Sequence, residues 1–141
     1  MKVKVNVTRD VLERSKMCGH GDDIVISRHC GIAVAVIDLF PDANVQSTFI
    51  NLLGCGGLMS YLPALLTQPD FCRLPYEAIN FIDDFDYAEP EERVLMSPFS
   101  FEIEVPEYVI NKIGIGEIYR VLSESKTLEL VMEDFGQTVQ S

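Results

Sequence analysis

Phe99-Ser100-Phe101-Glu102-Ile103-Glu104-Val105 alternates apolar and polar residues without a break. A period of two puts Phe99, Phe101, Ile103 and Val105 on one face of a strand, with Ser100, Glu102 and Glu104 on the other. That is the pattern of a sheet buried on one side and wet on the other. Near the opposite end of the chain, Val3, Val5 and Val7 alternate with Lys2, Lys4 and Asn6 in the same way. Two half-buried strands need a cover for their apolar faces. His29 to Phe40 (HCGIAVAVIDLF) offers one. Its length of about twelve, Ser27 upstream as a cap and Pro41-Asp42 downstream as a stop predict a helix. A helix apolar nearly all round belongs in the middle of a domain. One core is therefore expected to hold Ile32, Val36, Phe40, Phe99, Phe101 and Ile103.

Outward from that core, Thr8 is a candidate N-cap for a helix from Arg9 to about Met17, which Gly19 and Gly21 end. Ile24 to Ile26 reads either as a very short strand or as the approach to the next element. Asn44 to Leu53 reads as a strand turning at Gly54-Cys55-Gly56-Gly57 into a partner at Leu58 to Leu62, a hairpin. Pro63 to Arg73 reads as a connector. Pro75 suits the start of a helix from Tyr76 to about Phe85, with Ile79, Phe81, Ile82 and Phe85 apolar. Asp83 to Glu92 (DDFDYAEPEE) reads as an acidic loop. Beyond Pro106 come a helix at Glu107 to Lys112, a Gly114/Gly116 break, a helix at Glu117 to Ser123 and a strand at Thr127 to Met132. The expected fold is a single α+β domain over residues 1–141. A small, mostly antiparallel sheet is covered on one face by helices, and residues 106–141 form a C-terminal α/β extension.

The chain has 141 residues, 48% of them hydrophobic, enough to bury a core and to exclude disordered and coiled-coil classes. Eleven Lys and Arg against 22 Asp and Glu leave a formal charge of −11. Such a surface repels phosphate, so neither nucleic acid nor an anionic membrane is an expected partner. The Met1–Val7 stretch lacks the apolar run of an export signal, and the apolar run at Gly31–Ile37 is too short to span a bilayer. A cytoplasmic location follows as the expectation. In that compartment Cys18, Cys30, Cys55 and Cys72 are expected as free thiols, although four cysteines allow three pairings.

Cys30-Gly31-Ile32-Ala33-Val34-Ala35-Val36 is close to a C-P-[IV]-A-x-A pattern, with Gly31 at the usual proline position. It follows a first strand ending in Val7-Thr8 and a polar helix. It precedes a hairpin, a Leu74-Pro75 helix start, Phe85-Asp86 and a Ser97-Pro98-Phe99-Ser100-Phe101-Glu102 strand. In this layout residues 1–105 resemble a group of small proteins of undetermined role carried by phages and bacterial genomes. The resemblance implies a fold and a mobile-element setting, and brings no activity or site residue.

Few constellations carry chemistry. Cys18, His20, His29 and Cys30 have the ligand types of a tetrahedral zinc site, but C-x-H and an adjacent H-C pair match no usual knuckle spacing. Cys30 at a helix start beside His29 is also where a thiol would be activated, yet no third, orienting group accompanies the pair. The glycine clusters at 54–57 and 114–116 complete neither a P-loop nor G-x-G-x-x-G. Asp83, Asp84, Asp86, Glu89, Glu91 and Glu92 lack the glycine and terminal glutamate spacing of a calcium loop. With no Trp in the chain, a sugar-binding cleft for paired carboxylates is not indicated either. These six acids remain either a solvated surface or a recognition patch for a basic protein. The expectation is a non-enzymatic protein-binding or accessory module without a cofactor. The alternative is a small Cys/His-dependent enzyme or zinc-supported domain using Cys18, His20, His29 and Cys30.

Overall fold

Strand β1 (Lys2–Val7) buries Val3, Val5 and Val7, as its alternation requires. It pairs antiparallel with β5 (Phe99–Glu104) in a register that sets Val3 opposite Ile103, Val5 opposite Phe101 and Val7 opposite Phe99. On its other side β1 pairs antiparallel with β6 (Leu128–Leu130), with Val5 opposite Leu128. The sheet order is β5-β1-β6. On its outer face each lysine of the central strand meets glutamates: Lys2 lies opposite Glu104, and Lys4 lies between Glu102 and Glu129. Opposite charges across a ladder favour this register over a one-residue slip, which would also expose the valines.

The computed structural model describes residues 1–21, 29–54 and 69–131. Helix α1 (Arg9–Ser15) opens at Thr8, whose hydroxyl accepts a hydrogen bond from the Val11 amide at 3.2 Å. Helix α2 (Gly31–Val36) packs against β1, α1, the later helix α3 (Tyr76–Tyr87) and the short strand β2 (Asn44–Val45), the central position expected of it. It is shorter than predicted. The N-cap is Cys30, and the helix ends at Val36 instead of Phe40. Continued at 100° per residue, it would bring Asp38 onto the face of Gly31 and Ala35, both buried, at the cost of burying a carboxylate. The chain instead turns. Ile37 and Asp38 stay outside, Ser125 donates to Asp38 at 2.9 Å, and Leu39 and Phe40 fold back into the core.

The predicted strand over Asn44 to Leu53 is two strands. β2 turns through exposed Ser47 and Thr48 into β3 (Phe49–Asn51), closed by the Gln46 amide donating to the Phe49 carbonyl at 2.8 Å. The partner of β3 on its other edge is β4 (Phe71–Arg73), part of the predicted connector, giving a second antiparallel sheet β2-β3-β4. The sequence signal there was masked by brevity: three residues offer no alternation to count. Asp70, fully buried, accepts from the Asn51 side chain at 3.2 Å and the Leu53 amide at 2.9 Å, holding the end of this sheet. The predicted strand at 24–26 and the return strand at 58–62 lie outside the described residues.

After α3, helix α4 (Pro90–Arg93) leads to β5, and helices α5 (Glu107–Ile113) and α6 (Ile115–Glu124) lead to β6. Gly114, at φ +97°, makes the corner between α5 and α6 that a β-carbon would strain. The molecule is thus a single small α+β domain with antiparallel sheets. The carboxyl-terminal α/β stretch docks through β6 and by Thr127 donating to the Ala35 carbonyl at 2.6 Å. Ile32, Val36, Phe40, Phe101 and Ile103 share one core, with Phe99 partly buried against it.

Candidate functional site

The acidic segment is ordered as two helices, a correction to the predicted loop. Asp83, Asp84 and Asp86 stand on the last turns of α3. Glu89 caps α4 reciprocally with Glu92, whose carboxylate accepts from the Glu89 amide at 2.9 Å. The S/T-x-x-E logic of a capping box is met here by Glu-Pro-Glu-Glu, with Pro90 pre-set at the first helical position. All six acids, Asp83, Asp84, Asp86, Glu89, Glu91 and Glu92, are exposed. None is within ion-pair distance of a cation among the described residues. Partial burial raises the Asp86 carboxyl above the ordinary carboxylate range; nearby Arg93 pulls it back and Asp83 adds to the rise.

What holds this corner in place is Arg93, which the sequence reading did not single out. Its side chain is buried. Its Nε donates to the Phe85 carbonyl at 2.9 Å and its Nη1 to the carbonyls of Lys16 and Cys18 at 2.9 and 2.6 Å. The guanidinium lies 4.0 Å from the centre of the Phe85 ring. One cation therefore ties the end of α3 to the turn after α1, using the planar fork and stacking that lysine lacks. Nothing in the local pattern marks it, because an arginine after two glutamates reads as a solvated helix end. Arg9 anchors the following stretch by donating to the carbonyls of Val94 and Met96.

Between α3 and the stretch from Glu92 to Phe99 runs an open groove of about 520 Å³. Phe81, Met96 and Phe99 contribute apolar lining; Glu77, Asp84 and Glu92 contribute carboxylates. The structure thus brings Asp84 and Glu92, eight residues apart in sequence, to one cleft. It adds Glu77, which sequence reasoning missed although it stands two helical turns from Asp84. Asp83, Asp86, Glu89 and Glu91 lie outside the lining.

The Cys/His set is placed differently. Cys18 and Cys30 are buried, His20 is half-buried and His29 is exposed. Among the described residues no group of three or more His, Cys, Asp or Glu side chains is arranged to hold a metal ion. Burial pushes the Cys30 thiol up to about 11, an effect that the amides of Ala33 and Ile32 only partly offset. Helix-start amides lower a thiol pKa where water also reaches it; here desolvation wins. Cys18, Cys30 and Cys72 are thiols and not half-cystines. Among the described residues no helix is long and apolar enough to cross a membrane. Compared with protein-family models, curated proteins and solved structures, the chain finds no match.

Proposed function

We propose that this protein is a non-enzymatic binding module that docks on a basic protein surface through the acidic corner formed by α3 and α4. The observation that carries this reading is six exposed carboxylates on a corner tied down by Arg93, none of them paired with a cation of the described residues. Fixed charge of one sign accelerates association with a complementary surface and rejects like-charged competitors. A cytoplasmic setting, and a phage or mobile-element origin, belong to the same proposal; the thiol state of Cys18, Cys30 and Cys72 supports the first.

The test is kinetic. A partner recovered from the native host by affinity capture is purified. Its on-rate is then measured with wild type and with a variant carrying Asp83→Ser, Asp84→Ser, Glu91→Gln and Glu92→Gln. The variant should associate more slowly at low salt. The two proteins should converge in 1 M salt, where the Debye length falls from about 10 Å to about 3 Å. Equal on-rates at low salt would mean that the acidity serves solubility alone.

A further inference from the structure

The acidic corner does more than attract charge. Building on the docking reading, we infer that the groove beside α3 seats one apolar side chain from a basic segment of the partner protein, its flanking Lys or Arg residues meeting the rim carboxylates. The open groove's volume of about 520 Å³ is ample for one aliphatic side chain. Its lining is apolar where an anchor would sit, at Phe81, Met96 and Phe99, and acidic at Glu77, Asp84 and Glu92. Glu77 and Asp84 are seven residues apart on one helix, so about 10 Å separates them along the axis. An extended segment turns residues i, i+2 and i+4 to one face, so cations at i and i+4, about 13 Å apart, flank an apolar residue at i+2 and reach the two carboxylates through their flexible side chains.

The walls are already built. The Phe81 ring is held between Phe85 and Phe99, at centroid distances of 5.4 and 5.0 Å. The Met96 backbone is fixed by Arg9, which donates to its carbonyl at 2.8 Å, and by its own amide N–H, which donates to the Arg93 carbonyl at 3.2 Å. A preformed groove spares a ligand the ordering cost of making one. Tyr87 and Leu95, each next in sequence to a lining residue, are 86% and 80% exposed. Large exposed apolar residues beside a cleft are the composition of an interface. Charge selects the occupant. A second copy of this chain carries −11, and nucleic acids and anionic lipids are also negative, so each is repelled where a basic segment is drawn in.

The probes are two fluorescently labelled ten-residue peptides, rich in Lys and Arg, identical except for a central Leu or Ser. Each is titrated against the full chain by anisotropy at low and at high salt. The Leu peptide should bind about ten-fold tighter than the Ser peptide, the value of one buried aliphatic side chain. Ser97→Trp, an exposed position whose enlarged side chain would fill the groove, should abolish the difference while leaving the melting temperature unchanged. Glu77→Gln with Asp84→Asn and Glu92→Gln should weaken both peptides and preserve their ratio. Equal binding of the two peptides to wild type, or a ratio untouched by Ser97→Trp, overturns the groove assignment. If the peptides bind equally but neutralisation weakens both, charge docking stands without the groove. If the Leu preference survives and neither neutralisation nor salt changes affinity, the groove binds without the acidic corner. Failure of both peptides to bind sinks the groove together with the charge reading.

Discussion

Cys30 and Cys72 are small hydrophobes carrying a latent proton. Both thiols are raised from the usual 9.0 to about 11, in each case chiefly because burial disfavours the thiolate; the charge of Asp86 adds to this at Cys30 and that of Glu104 at Cys72. Below pH 9 the thiols are neutral in folded and unfolded chains alike, and stability does not depend on them. Between pH 9 and 11 the unfolded chain ionises first while the folded chain keeps its protons. Folding free energy should therefore decline across that window, by on the order of 2 kcal/mol per thiol. Denaturant titrations at pH 7.5, 9 and 10.5 should show the decline, and Cys30→Ala should remove the Cys30 share of it, leaving that of Cys72. An unchanged slope in the double variant Cys30→Ala, Cys72→Ala would assign the alkaline loss to other groups. The same desolvation explains why a thiol at a helix start, beside a histidine, is held in its inert form at neutral pH.

At the scale of elements, α2 approaches its neighbours closely because of what Gly31 lacks. A β-carbon there would stand 2.8 Å from Cζ and 3.1 Å from Cε2 of Phe81, and 3.6 Å from the Ser15 hydroxyl. Phe81 can yield only toward the groove it lines, because the rings of Phe85 and Phe99 pack against it in tilted contacts on its other sides. Gly31→Ala raises helix propensity, a gain of up to about 1 kcal/mol. Overpacking of this kind costs about 1–3 kcal/mol, so the steric term should win. Thermal and chemical denaturation should both show Gly31→Ala destabilised, and Gly31→Ala with Phe81→Leu should recover part of the loss. A variant more stable than wild type would mean that α2 slides freely along α3. Since Phe81 also lines the groove, the glycine that seats α2 indirectly positions the proposed binding surface.

For the whole molecule, the decisive feature is that β6 pairs along the second edge of β1 and makes it the central strand of the sheet. Residues 106–131 supply Val109, Ile118, Leu122 and Leu128 to the one core and two tethers, Thr127 to Ala35 and Ser125 to Asp38. Each of those apolar side chains contributes about 1.5–3 kcal/mol on burial, and together they rival the roughly 5–15 kcal/mol by which a domain is stable. A chain ending at residue 105 should therefore show no cooperative thermal transition and narrow amide dispersion by NMR. A sigmoidal melt for that fragment would make the carboxyl-terminal stretch an accessory to an independent domain.

The alternations at Val3–Val7 and Phe99–Val105, the cap at Thr8 and the apolar run from Gly31 determined the α+β class, the strands that face the core and the helix that covers them. Those features are local, because side-chain period and capping chemistry are properties of a few consecutive residues. The six acids of the corner were legible for the same reason. Where α2 stops, which strand pairs with β3, what Arg93 holds and that Glu77 joins Asp84 and Glu92 were decided only in three dimensions. Each depends on a group distant in sequence: Ser125 drawing out Asp38, Cys72 opposite Ile50, the Lys16 and Cys18 carbonyls, and the stretch from Glu92 to Phe99 laid along α3. Periodicity tells a residue which way to face; only packing tells it what it will meet there.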